Sequence, residues 1–356
     1  MNSPFFIILG IILSCFLIIY TWLFFLNNRK QLPKLLNHMS VAVLSTLFLG
    51  TTAFYFLLPT FQDTLFEFSY TSILVLFLSA TIAYIILTLK SLSSLTSLVL
   101  LITCAAPNLI FFPQDFLLLE GRVPLWADRG IATLIWGVFA WGFRFFNSTD
   151  GIFPIQCGTT LFGIIVLSFL GGQPILLACI SGVYICVLLA LAVYNWHPAQ
   201  LPLKTPLCQT IGFLSGWLFF SACKEGATSC IVILNIYFFC EIIIAHGKRL
   251  LRTPQYNNTV SNTIYFQASV SGLSPHDICS NIFKLNFLLV LFSGFQAFSP
   301  NPYSLFFICL LLTIWFLNRM YNWQILNRSY SEINQQTFQD IKKDLNKYKE
   351  SFKKDK

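Results

Sequence analysis

Residues 174–194 read PILLACISGVYICVLLALAVY, 21 consecutive positions without a Lys, Arg, Asp or Glu. Strands in folded domains run about 3–10 residues, whereas an α-helix of about 20 residues crosses the ~30 Å hydrocarbon core of a bilayer. The turn-forming Gly171-Gly172-Gln173-Pro174 precedes the stretch, and the polar Asn195-Trp196-His197-Pro198 follows it. The segment is therefore a predicted membrane-spanning helix. Working outward, the same pattern recurs at 5–26, 40–60, 70–88, 94–112, 130–146, 154–171, 207–223, 227–245, 283–298 and 302–320. With 174–194, these make eleven predicted spans. The residue-by-residue alternation of a membrane β-barrel is absent, so the expected fold is all-α and polytopic.

Composition leads to the same class. Of 356 residues, 56% are hydrophobic and 10% are charged, and mean hydropathy is +0.71. Soluble domains carry about 25% charged residues. A single water-soluble core stops growing near ~250–300 residues, and much of this apolar side chain would remain uncovered. Lipid must serve as solvent for most of the chain, which excludes a soluble enzyme, a nucleic-acid binder and a disordered linker. The 11 cysteines lie mostly inside apolar runs and include no C-x-x-C pair. They read as small hydrophobes rather than disulfides or zinc ligands.

Charge sets the expected topology. The first predicted span has no Lys or Arg before it and no small-residue cleavage site after it, so it reads as an uncleaved span. Its positive flank, Arg29, Lys30 and Lys34, follows it. Cytoplasmic loops carry the excess of Lys and Arg, which predicts an N-terminus outside and a C-terminus inside. Residues 28–39, 89–93, 144–153, 195–206, 246–282 and 321–356 are then cytoplasmic and, with Lys284 and Arg319 at their edges, hold 19 of the 22 basic residues; only Arg122, Arg129 and Lys224 fall outside. The net charge of +8 is thus a topology signal and does not imply nucleic acid. After Trp323 the composition changes, dividing a transmembrane domain (1–323) from a basic tail (324–356). Phe338, Ile341, Leu345, Tyr348 and Phe352 recur at helical spacing with lysines between them. This predicts an amphipathic helix suited to a membrane surface or a partner helix, with a solvated tail as the alternative.

Four predicted cytoplasmic segments carry motifs. Asn147-Ser148-Thr149-Asp150-Gly151-Ile152 is similar to an Asn-Phe-Met-Asp-Gly-Ile-Asp-Gly loop. Asn195-Trp196-His197-Pro198-Ala199 through Gly212-Phe213 aligns without gaps on Asn-Trp-Pro-Pro-Ala-Lys-Ile-Phe-Met-Gly-Asp-x-Gly-Ser-x-x-Leu-Gly-Phe. Leu87-Thr88-Leu89-Lys90-Ser91-Leu92-Ser93 is similar to Asp-Asp-Leu-Lys-x-Leu-Ser. The stretch from Glu241 to Arg252, with Tyr265-Phe266-Gln267 and Gly272-Leu273-Ser274, is similar to one ending in His-x-x-His-Leu-Tyr-Gln and Gly-Leu-Ser-His. By these motifs and their order, over residues 80–285, the chain resembles the bacterial polyprenyl-phosphate N-acetylhexosamine-1-phosphate transferases. This is glycosyltransferase family 4, which includes the lipid I translocase. The resemblance implies about eleven spans in the bacterial inner (cytoplasmic) membrane. It also implies transfer of a phosphosugar from a UDP-N-acetylhexosamine to undecaprenyl phosphate in cell-envelope glycan synthesis, with Mg²⁺ as cofactor. Carried over by position, Asp150 and Asn147 are the candidate catalytic residues, and Lys90, Trp196 and Gln267 the candidate substrate contacts.

Several family positions are replaced. The Asp-Asp pair falls on Leu87 and Thr88, two further Asp positions on Phe153 and Thr205, and the His-x-x-His pair near Ser261 and on Ile264. Two phosphates must meet in this reaction, and hard oxygen ligands around Mg²⁺ would neutralise them. Outside the tail, the predicted cytoplasmic face offers only Asp150, Glu241 and Asp277. These are the candidate metal ligands if the three loops converge. Glu241 lies inside a predicted span, where it would snorkel or pair with Lys248 or Arg249. His38, His197, His246 and His276 read as interfacial side chains. The expected activity is impaired or absent, and the alternative is a silent homologue that binds a lipid carrier, a membrane-protein partner or a second copy of itself. An unrelated transporter ranks last, because polar residues at the bilayer midplane are scarce.

Overall fold

The structure, a computed structural model, describes residues 4–27, 32–57, 70–89, 92–110, 118, 123–147, 149–170, 173–251, 263–270, 272–299, 301 and 303–322. The predicted tail helix and Lys90 lie outside these residues. Among the described residues there are thirteen α-helices and no strand. In chain order they are α1 (Pro4–Asn27), α2 (Leu32–Leu57), α3 (Tyr70–Leu89), α4 (Ser94–Ile110), α5 (Leu125–Gly142), α6 (Ile152–Phe169) and α7 (Ile175–Asn195). They continue with α8 (Thr205–Ala222), α9 (Thr228–Leu234), α10 (Ile236–Leu251), α11 (Ile264–Val270), α12 (Pro275–Ala297) and α13 (Phe306–Tyr321).

Five of these helices contain stretches long and apolar enough to cross a membrane: Met39–Phe56, Thr71–Leu89, Ile152–Phe169, Ile175–Asn195 and Pro275–Ala297; α9 and α10 together make a sixth candidate. Large side chains such as Leu78, Phe295, Phe307 and Leu311 stand exposed on helix faces. Contiguous exposed apolar faces need a covering, and here lipid supplies it. The chain is an α-helical, multi-pass membrane protein.

Helix α8 lies at the centre. Every side chain from Leu207 to Ala222 is buried, the pattern of a helix surrounded on all sides. It packs on α5 and α3, while α7 packs on α6, α1 and α2, and α12 closes against α6 and α9. The α5–α8 approach is tight because α8 presents glycines to aromatic rings. A Cβ on Gly212 would sit 2.2 Å from the Phe143 ring, and one on Gly216 would sit 2.6 Å from Trp136. Trp136 stacks on Phe213 and donates its indole N–H to the Phe213 carbonyl at 2.8 Å. Small residues that admit a bulky neighbour are the common device of helix packing in lipid.

The predicted span 227–245 is not one helix. It breaks at Asn235, and the two halves meet at 56°. The Asn235 amide donates to the Ile231 carbonyl at 2.9 Å, and its Oδ1 is buried with no hydrogen-bond partner among the described residues. A side chain bonding into the helix ladder is a recognised cause of a kink. Two other boundaries also move. Helix α12 begins at Pro275 rather than 283, and α11 lies within the predicted loop 246–282.

Candidate functional site

The four motif segments meet at one end of the bundle, around the loop that joins α5 to α6. This loop leaves α5 through a single 3₁₀ turn at Phe145–Asn147 and enters α6 at Gly151. Gly151 has φ +82°, and an added Cβ would lie 3.2 Å from Cys279 Sγ and 3.4 Å from the Trp196 ring. Both the left-handed backbone and the close approach favour glycine there.

Several polar groups of the loop are engaged by neighbouring segments. The Gly151 N–H donates to the buried Asn195 Oδ1 at 3.1 Å. Asp150 Oδ2 accepts the Ala199 N–H at 3.1 Å and lies 3.2 Å from His197 Nδ1. The Asp150 carbonyl accepts from Cys279 Sγ at 3.3 Å. Asn147 donates to the Leu203 carbonyl at 2.7 Å and reaches Thr205 Oγ1 at 3.5 Å. The buried Tyr265 hydroxyl donates to the Phe145 carbonyl. On the α4 side, Trp141 donates to the Ser94 carbonyl at 2.9 Å and Arg144 to Ser97 Oγ at 3.4 Å. At its other end, α5 carries the fully buried Asp128, which accepts the Leu118 N–H at 2.9 Å.

Asp150 and Asn147 are thus brought together with the 195–205 loop, where both hold backbone. Trp196 stands beside them, its ring over Gly151 and edge-on to His276 with centroids 6.1 Å apart. Gln267 is half-buried on α11, the helix anchored to the loop by Tyr265. Glu241 does not snorkel. Its side chain is fully buried and accepts the Ile264 N–H at the start of α11, where a carboxylate favours the positive end of a helix. Asp277 is exposed in the first turn of α12, with Oδ2 accepting from Ser274 Oγ at 2.6 Å while its N–H donates to the same oxygen at 3.1 Å. Ser274 is thus the N-cap of α12, its hydroxyl satisfying one of the free N–H groups of the first turn.

The three carboxylates therefore do not converge on one ion. Each is bonded to a different segment, and among the described residues no group of three or more His, Cys, Asp or Glu could hold a metal. The side chains at the positions where the resemblance expects carboxylates are engaged elsewhere. Leu87 and Phe153 are buried in packing, and Thr88 Oγ1 donates to its own helix at Tyr84. Thr205 Oγ1 faces Asn147. Asp150, Glu241 and Asp277 therefore do not form one shared ligand set.

Sequence reasoning missed Asn195, Cys279 and His197 as parts of this cluster. Asn195 opens the Asn-Trp motif, which was a usable signal. His197 and Cys279 offered none, since their partner lies 47 or 129 positions away. The cysteines are all free, in keeping with their apolar role.

Beside the cluster an apolar groove of about 580 Å³ runs between α6, α7 and α12, with Trp196 and His276 at its mouth. Compared with protein families and with curated proteins, the chain matches none.

Proposed function

We propose that the chain is an eleven-span, N-out, C-in protein of the bacterial inner membrane and a divergent relative of the polyprenyl-phosphate phosphosugar transferases. In this proposal it has kept their loop architecture and lost their turnover. It acts as a non-catalytic membrane protein that binds a lipid carrier or a protein partner of cell-envelope glycan synthesis.

One observation carries the reading. Asp150, the acidic residue retained in the Asn-x-x-Asp-Gly motif, spends its carboxylate on Ala199 and His197 of the neighbouring motif loop. A carboxylate held in this way ties two loops together. The bonding of the Asn147–Ile152 loop to the 195–205 loop, and of Tyr265 to the Phe145 carbonyl, supports a common origin with the transferases. The apolar residues at positions 87 and 153 support the loss of chemistry, because neither Leu nor Phe can bind a cation or accept a proton. Each tenfold in rate corresponds to about 1.4 kcal/mol of barrier, and replacing four carboxylates together removes several such steps.

The test is turnover by the purified protein, with UDP-N-acetylhexosamine, undecaprenyl phosphate and Mg²⁺. The expected result is no UMP release above a protein-free control. Release that disappears in Asp150→Asn would replace this reading with a relocated catalytic site.

A further inference from the structure

Where α12 begins and α13 ends, a pocket of about 410 Å³ is lined by side chains of both charges. Its volume falls within the range of about 300–1,000 Å³ typical of small-ligand sites. Asp277 and Asn281, one turn apart on α12, form one wall; Trp315 and Arg319, one turn apart on α13, form the other. The buried Leu273 and Met320 close its base. The Arg319 guanidinium lies over the Trp315 ring, 5.6 Å from its centroid. A guanidinium resting on an aromatic face keeps the N–H groups of its edge available. Among the described residues Arg319 makes no ion pair, and neither Arg319 nor Asn281 makes a hydrogen bond. Asp277 spends Oδ2 on Ser274 Oγ at 2.6 Å, while its Oδ1 lies 3.9 Å from His276 Nδ1. A guanidinium and a carboxylate thus share one pocket without closing on each other. A ligand that satisfies both carries an anion and a cation close together; a plain anion is drawn to Arg319 and repelled by Asp277.

The helix faces that lead away from the pocket make that ligand a lipid. On α13, Trp315, Leu311 and Phe307 precede Arg319 at four-residue steps, and all three are exposed. On α12 the face that begins with Asp277 and Asn281 continues at steps of three and four through Lys284, which does not line the pocket, to the exposed Leu288, Leu291 and Phe295. Residues at these spacings lie on one side of a helix. At 1.5 Å per residue, Phe307 lies roughly 18 Å along the axis from Arg319, about the depth of one leaflet of a ~30 Å core. Each helix therefore presents polar groups at the motif-loop end and an apolar stripe below them, the layout of a single amphiphile. Trp beside Arg at the end of a spanning helix is also the usual composition of the headgroup level.

We propose that the pocket between α12 and α13 holds the headgroup of one phosphatidylethanolamine, its phosphate at Arg319, its ammonium at Asp277 and the Asn281 carboxamide oxygen, and its acyl chains along the exposed stripes of the two helices. The site lies outside the 147–152 and 195–205 loops and stands whether or not the chain binds a polyprenyl carrier.

The experiment reconstitutes the full chain in nanodiscs containing equal phosphatidylethanolamine and phosphatidylglycerol. Lipids retained after release into mild detergent are then measured by native mass spectrometry. The expected result is one phosphatidylethanolamine per chain, at least tenfold over phosphatidylglycerol. Arg319→Gln, which removes the phosphate partner, should lower that retention at least tenfold. Asp277→Asn keeps an acceptor for the Ser274 hydroxyl but loses the charge, and should bring the ratio of the two lipids towards one by gaining phosphatidylglycerol. Loss of folding cannot mimic such a gain, so this variant decides the matter if Arg319→Gln fails to fold. Soluble glycerophosphoethanolamine at the concentration of the lipid should not displace it. Equal retention of both lipids or a preference for phosphatidylglycerol by the wild type, a lipid ratio unchanged in Asp277→Asn, or displacement by the soluble headgroup would each overturn the proposal. None of these outcomes bears on UMP release, which tests the non-catalytic reading separately.

Discussion

Replacing Asp150 separates a structural clasp from a metal ligand. Its Oδ2 accepts the Ala199 N–H at 3.1 Å and lies 3.2 Å from His197. Hydrogen bonds to a charged group contribute about 1.5–3 kcal/mol when shielded. The Asp150 side chain is 34% exposed and His197 is 48% exposed, so water competes for both contacts and the sum shrinks to about 1–2 kcal/mol. Asp150→Ala removes both contacts and should lower stability by that amount, measured by denaturation with SDS from mixed micelles. Asp150→Asn keeps one acceptor oxygen and should lose only about 0.5–1 kcal/mol, a single neutral hydrogen bond being of that order. Mg²⁺ should leave all three proteins unchanged. A resident ion at 100 times its Kd would add about 2.7 kcal/mol to the wild type. Refutation would be a wild type stabilised by Mg²⁺, with Asp150→Asn and Asp150→Ala both losing that increment.

Gly151→Ala should cost about 1–2 kcal/mol for the left-handed backbone, with a further contribution from the 3.2 Å approach to Cys279 Sγ; in the same titration, adding Cys279→Ala should relieve only the second part. Glu241→Leu leaves the buried Ile264 N–H without this acceptor and should cost about 1–3 kcal/mol, whereas Glu241→Gln, which retains an oxygen, should cost less; equal losses would show that the bond to α11 is unimportant. Reporter fusions at Arg122 should read outside, and those at Arg252 and Lys356 inside; a common side for Arg122 and Arg252 would overturn the eleven-span topology.

The class of this protein was legible in the sequence because hydropathy is local. A run such as 174–194 has to be a helix in lipid, whatever surrounds it, since its backbone groups must be satisfied within the segment. The structure describes that run as Ile175–Asn195. The motif loops could be read in the same way, from short spacings within 147–151, 195–199 and 272–274. Glu241 could not. Its position in an apolar run suggested a side chain reaching for the surface, but the chain folds back and brings the Ile264 N–H to it. The break at Asn235 was hidden as well, because Asn235 is a single polar residue in an otherwise continuous apolar stretch.

What the sequence determined by itself was an all-helical membrane chain and the identity of the few polar residues left in its loops. Whether those residues form a metal site was decided only by the tertiary structure. A carboxylate is a ligand when other donors converge on the same point, and it is a clasp when backbone N–H groups reach it first. That outcome depends on which distant segments the packing of α6, α7 and α12 brings to within about 3 Å of Asp150, and no local pattern of residue types encodes it.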